Sequence, residues 1–216
     1  MVQMKTQLKE RLKSISHLEG WCGYSKALHL AQIVLDRRPD KIIEIGVFGG
    51  KSIAAMAMAC QHIYNGQCYG IDPWSKAAAL EGDVGDAHKE WWEKQDLDQV
   101  RKTCLSNLRQ LGLEDFITIL HKHDKEAIGD FPEQSVDLIH EDSNHSLLTS
   151  VRTCKDWVPK LKIGGLFVMD DSSWDTQQDA IGLLREGLGT RYVSTHDNTD
   201  EHGAVIGQYM VFERVA

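Results

Sequence analysis

The chain has 216 residues, 42% of them hydrophobic and 26% charged, with a formal net charge of −8. That length suits one domain with a short extension, and the composition is that of an ordinary globular protein rather than a disordered one. The acidic balance argues against a partner with a phosphate backbone, so no nucleic acid is expected; the absence of any apolar run near the ~18 residues of a bilayer span argues against a membrane protein.

Residues 1–36 read as an N-terminal helical extension. Leu8, Leu12 and Ile15 recur at helical spacing among Lys5, Lys9, Arg11 and Lys13, which makes the segment an amphipathic helix before a nucleic-acid or membrane contact. Ala27, Leu30, Ala31 and Val34 form a second apolar stripe. From residue 37 to 216, β-rich runs alternate with helical patterns: Lys41 to Ile45, Cys68 to Ile71, Phe116 to Leu120, Val136 to His140 and Gly165 to Met169. Such alternation predicts βαβ units and a parallel sheet. The stretch Pro73 to Lys94 reads as one long loop, the length of a lid or binding loop. After a helix around Gln177 to Leu188, the runs Arg191 to Thr195 and Gly207 to Phe212 follow one another without a helix, which predicts a closing antiparallel hairpin.

The five cysteines are odd in number and lack C-x-x-C spacing, so they read as reduced core thiols. With charges every few residues at the amino terminus in place of a signal segment, the cytoplasm is the expected location.

The first strand runs into Glu44-Ile45-Gly46-Val47-Phe48-Gly49-Gly50-Lys51-Ser52, a glycine turn that opens a helix. Glycines let the backbone approach a ligand, and the helix start offers free N–H groups. The spacing is neither G-x-G-x-x-G nor a P-loop, which disfavours nicotinamide and nucleoside triphosphates. The second strand ends in Asp72, followed by Pro73 and Trp74, where a carboxylate can accept both ribose hydroxyls of an adenosine cofactor. Asp124, after the third strand, lies where adenine would sit, or it caps the next helix. The fourth strand ends in His140-Glu141-Asp142-Ser143-Asn144-His145-Ser146 and the fifth in Asp170-Asp171-Ser172-Ser173-Trp174. Asp142 with Asp170 and Asp171 are hard oxygen ligands suited to Mg²⁺, Mn²⁺ or Ca²⁺; alternatively they cap helices or hold the cofactor's amine. No H-E-x-x-H or G-x-S-x-G is present, which speaks against zinc and serine-hydrolase chemistry. Trp74, Trp91, Trp92 and Trp174 fall at the ligand end, as acceptor walls or as packing anchors.

Together, Glu44 to Gly50, Gly70 to Trp74, Asp137 to His140 leading to Asn144-His145-Ser146, and Gly164 to Asp171 resemble the successive motifs of class I S-adenosylmethionine (SAM) dependent methyltransferases, of the branch grouped as methyltransferase domain 24. The resemblance covers roughly Leu18 to Trp174. It implies a single Rossmann-like doubly wound α/β sheet of seven strands with the last antiparallel. It also implies a SAM pocket drawn from Glu44, Gly46, Val47, Phe48, Gly49, Ser52, Asp72, Pro73, Trp74, Asp124 and Asp142. Glu44 and Gly46 would frame the methionine part, Asp72 the ribose and Asp124 the adenine. Metal-dependent relatives of the catechol type place acids where this chain has Asp142, Asp170 and Asp171. Ser143 stands where the branch usually has glycine. The reading that follows is O-methylation of a small-molecule or sugar hydroxyl. A divalent ion at those acids would lower the hydroxyl pKa, and Asp142 and His145 would be the catalytic pair, His145 taking the proton. The expected partners are the acceptor and, at most, further copies of the chain. The rival readings are a SAM-binding module without catalysis and a hydroxylase-like relative on the same fold.

Overall fold

In the computed structural model, which describes residues 3–216, one sheet of seven strands runs through the molecule in the order β3-β2-β1-β4-β5-β7-β6. The strands are β1 (Lys41–Ile45), β2 (Gln67–Ile71), β3 (Ile117–Leu120), β4 (Val136–Glu141), β5 (Leu161–Met169), β6 (Thr190–Thr199) and β7 (Val205–Arg214). The first five pair in parallel, and β7 is antiparallel to both β5 and β6. The predicted hairpin is thus in place, and β7 is the antiparallel strand. Strand order reverses between β1 and β4, the point at which such sheets open a crevice beyond their carboxyl ends.

The helices cover both faces. On one side pack α1 (Thr6–Ser14), α2 (Tyr24–Arg37), α3 (Lys51–Ile63) and α6 (Leu97–Gln110), whose Leu8, Leu30, Met56 and Cys104 share one core. On the other lie α7 (Asp124–Ala127), α8 (Leu147–Trp157) and α9 (Gln178–Glu186), which bury Ala127, Trp157 and Leu184 against Ile43, Ile139 and Phe167. Central strands buried on both faces read as continuous apolar runs, which is why Ile42, Ile43 and Ile45 follow one another in β1. Helix α3 is covered by α1 and α2 as well as by the sheet; nearly its whole length is buried, and its alanines and methionines suit that crowding.

Residues 1 and 2 of the expected 1–36 extension lie outside the described residues. The remainder does not stand apart: Leu8, Leu12, Ala27 and Leu30 are part of the same core as the sheet's β1 and β2 residues. The stretch 73–94 also differs from the loop expected of it. It contains two helices, α4 (Lys76–Ala79) and α5 (Asp86–Lys94), separated by Gly82 and Gly85 at positive φ. The run Lys76-Ala77-Ala78-Ala79 is made of strong helix formers, and α5 carries Asp86 in its first turn and Lys94 in its last, which complements its dipole.

Candidate active site

The carboxyl ends of β1, β2, β4 and β5 converge on one polar cluster. Gly46 has φ of 88°, and a Cβ there would collide with the backbone of Asp142, so only glycine lets the β1 turn lie against the β4 loop. The amide of Asp142 donates to the Ile45 carbonyl (2.9 Å) and that of Asp170 to the Glu141 carbonyl (3.0 Å), which sets the loops side by side. Phe48 (φ 47°), Trp74 (φ 41°) and Asp171 (φ 45°) all adopt the left-handed region at this edge. Such conformations are costly for residues with a Cβ, and strain of this kind clusters at functional sites.

Glu44 at the end of β1 and Ser52 at the start of α3 meet across the glycine turn. The Ser52 hydroxyl and His140 Nδ1, the latter at 2.8 Å, bond to Glu44 Oε1, and Glu44 and His140 are both fully buried. Burial pushes the Glu44 carboxyl up, against the opposing pull of His140 and Ser52. Its second oxygen and His140 Nε2 have no protein partner. Val47, Phe48 and Gly49 form the turn itself, and a side chain at Gly49 would strike the Glu19 backbone.

Asp72 braces that turn. Its Oδ2 accepts from the amides of Val47 and Phe48, both at 2.9 Å, and its Oδ1 from Trp74 at 2.6 Å, while Trp74 Nε1 donates to the Phe48 carbonyl (3.0 Å). A carboxylate has about four acceptor positions, so three amides leave room for one ribose hydroxyl rather than for both. Pro73 sits beside it, its carbonyl 3.1 Å from His121 Nε2.

Asp124 does not cap α7. The helix cap at α7 is His123, whose ring accepts from the Lys125 amide, and Asp124 is the first helical residue. Its carboxylate is buried in a bidentate pair with Arg152 of α8 (2.7 and 3.2 Å) and receives Trp157 Nε1 at 3.3 Å. Its acceptor positions are turned into the α7/α8 packing.

The three acids expected to hold a metal do not converge on one point. Asp171 turns its carboxylate to His145 Nε2 (3.2 Å). Asp142 and Asp170 stay together, but the cation between them belongs to the chain: Lys26 of α2 contacts Asp170 Oδ2 and lies 3.2 Å from Asp142 Oδ2. His140, Asp142 and Asp170 could each bring a ligand atom within 4.8 Å of the others, the one such group among the described residues, and the ammonium already touches both of its carboxylates. Burial alone would lower Lys26, but the Asp142 and Asp170 charges outweigh it and hold the ammonium well above its ordinary pKa. The donor set as folded therefore does not fit a divalent ion.

His145 is the other cation of the cluster. Gln177 places its amide 2.6 Å from Nδ1, while Asp171 and Asp142 (3.7 Å) face Nε2. Burial would depress its pKa, yet the Asp171 hydrogen bond and the charges of Asp171, Glu141 and Asp142 prevail and raise it to about 9. Two of these residues had escaped notice in the sequence. Lys26 falls four residues before Leu30, on the buried stripe of α2, and a lysine on an apolar face is the signal that could have found it. Gln177 carries no such signal.

Helix α5 spans the mouth. Trp91 and Trp92 pack at one end against Trp21 and Phe48, with ring centroids 4.8 to 6.5 Å apart. At the other end His88 stacks on Trp174 (4.9 Å), which meets His145 edge-on (5.2 Å). Helix α4 is tied down separately, because Asn144 Nδ2 donates to the carbonyls of Ala78, Ala79 and Glu81 within 2.9 to 3.1 Å. The α4–α5 joint, residues 80–85, is held at Glu81 by Asn144 and Lys125, and beyond it carries two positive-φ glycines, Gly82 and Gly85, where a hinge would fall. Limited proteolysis is expected to cut within 80–85 in the free protein and more slowly with S-adenosylhomocysteine present, whereas equal rates would make this segment a fixed cover.

A doubly wound seven-stranded sheet with an acidic, glycine-lined carboxyl edge at the β1/β4 switch point is the architecture of class I methyltransferases. A family model described as a methyltransferase domain matches residues 43–172, more than half of the chain, and the chain belongs to that family. An uncharacterized protein of Sinorhizobium fredii, y4gI, is 26% identical over 139 residues, covering 62% of this chain; the chain spans 13% of the length of that relative. Among solved structures, the O-methyltransferase TomG from Streptomyces achromogenes, involved in tomaymycin synthesis and solved with SAM, superposes with a TM-score of 0.67 at 11% identity, covering 100% of this chain and 93% of that one. The O-methyltransferase of Bacillus cereus in complex with S-adenosylhomocysteine gives 0.64 at 13% identity, with 99% and 93% covered. A SAM-dependent O-methyltransferase of Thermotoga maritima gives 0.62 at 17%, with 97% and 71% covered. These likenesses show a shared fold. Among the described residues no helix is long and apolar enough to cross a membrane.

Proposed function

We propose that the chain is a SAM-dependent O-methyltransferase whose acceptor is a hydroxyl of a small molecule or sugar. The observation that carries the reading is the meeting of the Gly46 turn with the loop after β4: a cofactor-type turn lies against the backbone of Asp142 and Ser143, and the same loop carries His145, whose ring is framed by Asp142 and Asp171. The sulfonium of SAM is activated before it binds, so the protein's part is alignment and proton removal. When bound, SAM would supply the activated methyl group to the acceptor oxygen and leave as S-adenosylhomocysteine, and the deprotonated form of the His145 ring would take the hydroxyl proton. Glu44, Asp72 and Asp142 are the carboxyl groups nearest to where the amine and ribose of the cofactor would lie. Five free, buried cysteines support a reducing cytoplasm as its location.

Calorimetry with S-adenosylhomocysteine and then labelled-SAM transfer to extract fractions test this. Binding with transfer that is lost in His145→Gln is the expected result. Binding without transfer to any acceptor would make the chain a sensor, and micromolar NAD binding with no heat from either sulfur compound would overturn the cofactor assignment.

A further inference from the structure

We infer that Lys26 is the resident cation of this site, doing from α2 what a divalent ion would do between strand-end carboxylates, so that the transferase works without a metal. The inference rests on the methyltransferase reading of the site. A lysine usually buries its stem and keeps the ammonium in water. Here the whole side chain is buried, its Nζ 5.9 Å from the centroid of the Tyr209 ring and in contact with Asp142 and Asp170. Burying a charge without a partner costs several kcal/mol, whereas two carboxylates at contact distance offset that cost.

The place between the two Oδ2 atoms is filled and takes no second cation. A hard ion bound to both Oδ2 atoms at its usual ~2.0–2.6 Å would have to lie where the ammonium lies. The lysine cannot withdraw cheaply, because α2 is fixed in the core through Ala27, Leu30, Ala31 and Val34, all with 2% exposure or less. The third acid, which a metal would need, is engaged with His145. His140 Nε2 and Asp170 Oδ1 are buried without protein partners next to the ion pair, so the cluster keeps acceptor capacity that the lysine orients but does not exhaust. Lys26 is therefore a positioning residue: it holds Asp142 beside the Gly46 turn and sets Asp170 behind it.

The test uses Mn²⁺ as a paramagnetic probe on the intact protein with S-adenosylhomocysteine added. Wild type is expected to leave the free-ion resonance at full amplitude, and chelator is expected to leave methyl transfer unchanged. Lys26→Met empties the place between two carboxylates without adding charge, and it should bind Mn²⁺ at least about tenfold more tightly than wild type. A second change, Asp170→Asn, should remove that new site. Lys26→Gln carries the same expectation if the methionine variant does not fold. Stoichiometric Mn²⁺ uptake by wild type that is lost in Asp170→Asn overturns the inference, and so does a folded Lys26 variant that takes up no ion. Failure to bind S-adenosylhomocysteine, read by calorimetry on the same samples, sinks the methyltransferase reading instead and leaves the ion result to stand alone.

Discussion

Replacing His145 by Gln is expected to lower turnover by about 10²- to 10⁴-fold, the usual contribution of a positioned general base, while S-adenosylhomocysteine affinity stays close to wild type. The pH profile is the sharper reading. With its pKa raised to about 9, His145 is an imidazolium in the free protein at neutral pH, and only about 1% of it is ready to take a proton at pH 7. For wild type, kcat/KM for the cofactor should climb close to tenfold per pH unit from 7 and level off near 9. Asp171 supplies the leading favourable interaction with the charged ring, so Asp171→Asn should move that limb to lower pH, and His145→Gln should flatten it. Stability follows the same linkage. The folded pKa lies above the ordinary value of 6.5, so the stabilisation is fully present below about 6.5 and is lost as pH rises through about 9. Wild type should therefore lose more stability than His145→Gln between those two values. A kcat/KM profile with its limb unmoved in both variants would remove His145 from the proton-transfer step.

The fold was legible because its signals are local and repeated. The β1 run Lys41-Ile42-Ile43-Glu44-Ile45 and the stripes of α2 and α6 each state their period within a dozen residues, and their order alone defines βαβ winding. The glycine turn was legible for the same reason: Gly46 is required by a backbone approach that any strand-to-helix turn of this kind makes. What the sequence concealed was which side chain answers which. Asp142, Asp170 and Asp171 lie close along the chain's strand ends, so proximity suggested one site, but the positive φ at Asp171 turns its carboxylate toward His145. The cation that joins the other two comes from Lys26, more than a hundred residues away, and only the packing of α2 against the sheet brings it there. Asp72 shows a third kind of concealment. It stands where a ribose acceptor stands, yet the amides of Val47, Phe48 and Trp74 claim most of its capacity, and amide direction is set by turn geometry that residue types do not encode uniquely.

Asp124 carries the other large effect, on stability. Its bidentate pair with Arg152 joins α7 to α8 and is buried on the carboxylate side, where the side chain is 7% exposed. Removing one partner of such a pair strands a charge away from water and typically costs about 3 kcal/mol or more. Arg152→Met should accordingly lower the melting temperature by roughly 10 °C in a chain of this size. Trp157 Nε1 would remain on the carboxylate, but an indole N–H carries no charge to replace that of the guanidinium. Asp124→Asn added to Arg152→Met removes the stranded charge, and the double variant should be more stable than Arg152→Met alone, since residues in one network do not act additively. Cofactor affinity separates this account from an adenine contact. Well below the melting transition, Asp124→Asn should bind S-adenosylhomocysteine nearly as wild type does. A loss of about 1–3 kcal/mol of binding free energy, the scale of a missing hydrogen bond to a charged acceptor, with the melting temperature unmoved would return Asp124 to the adenine pocket.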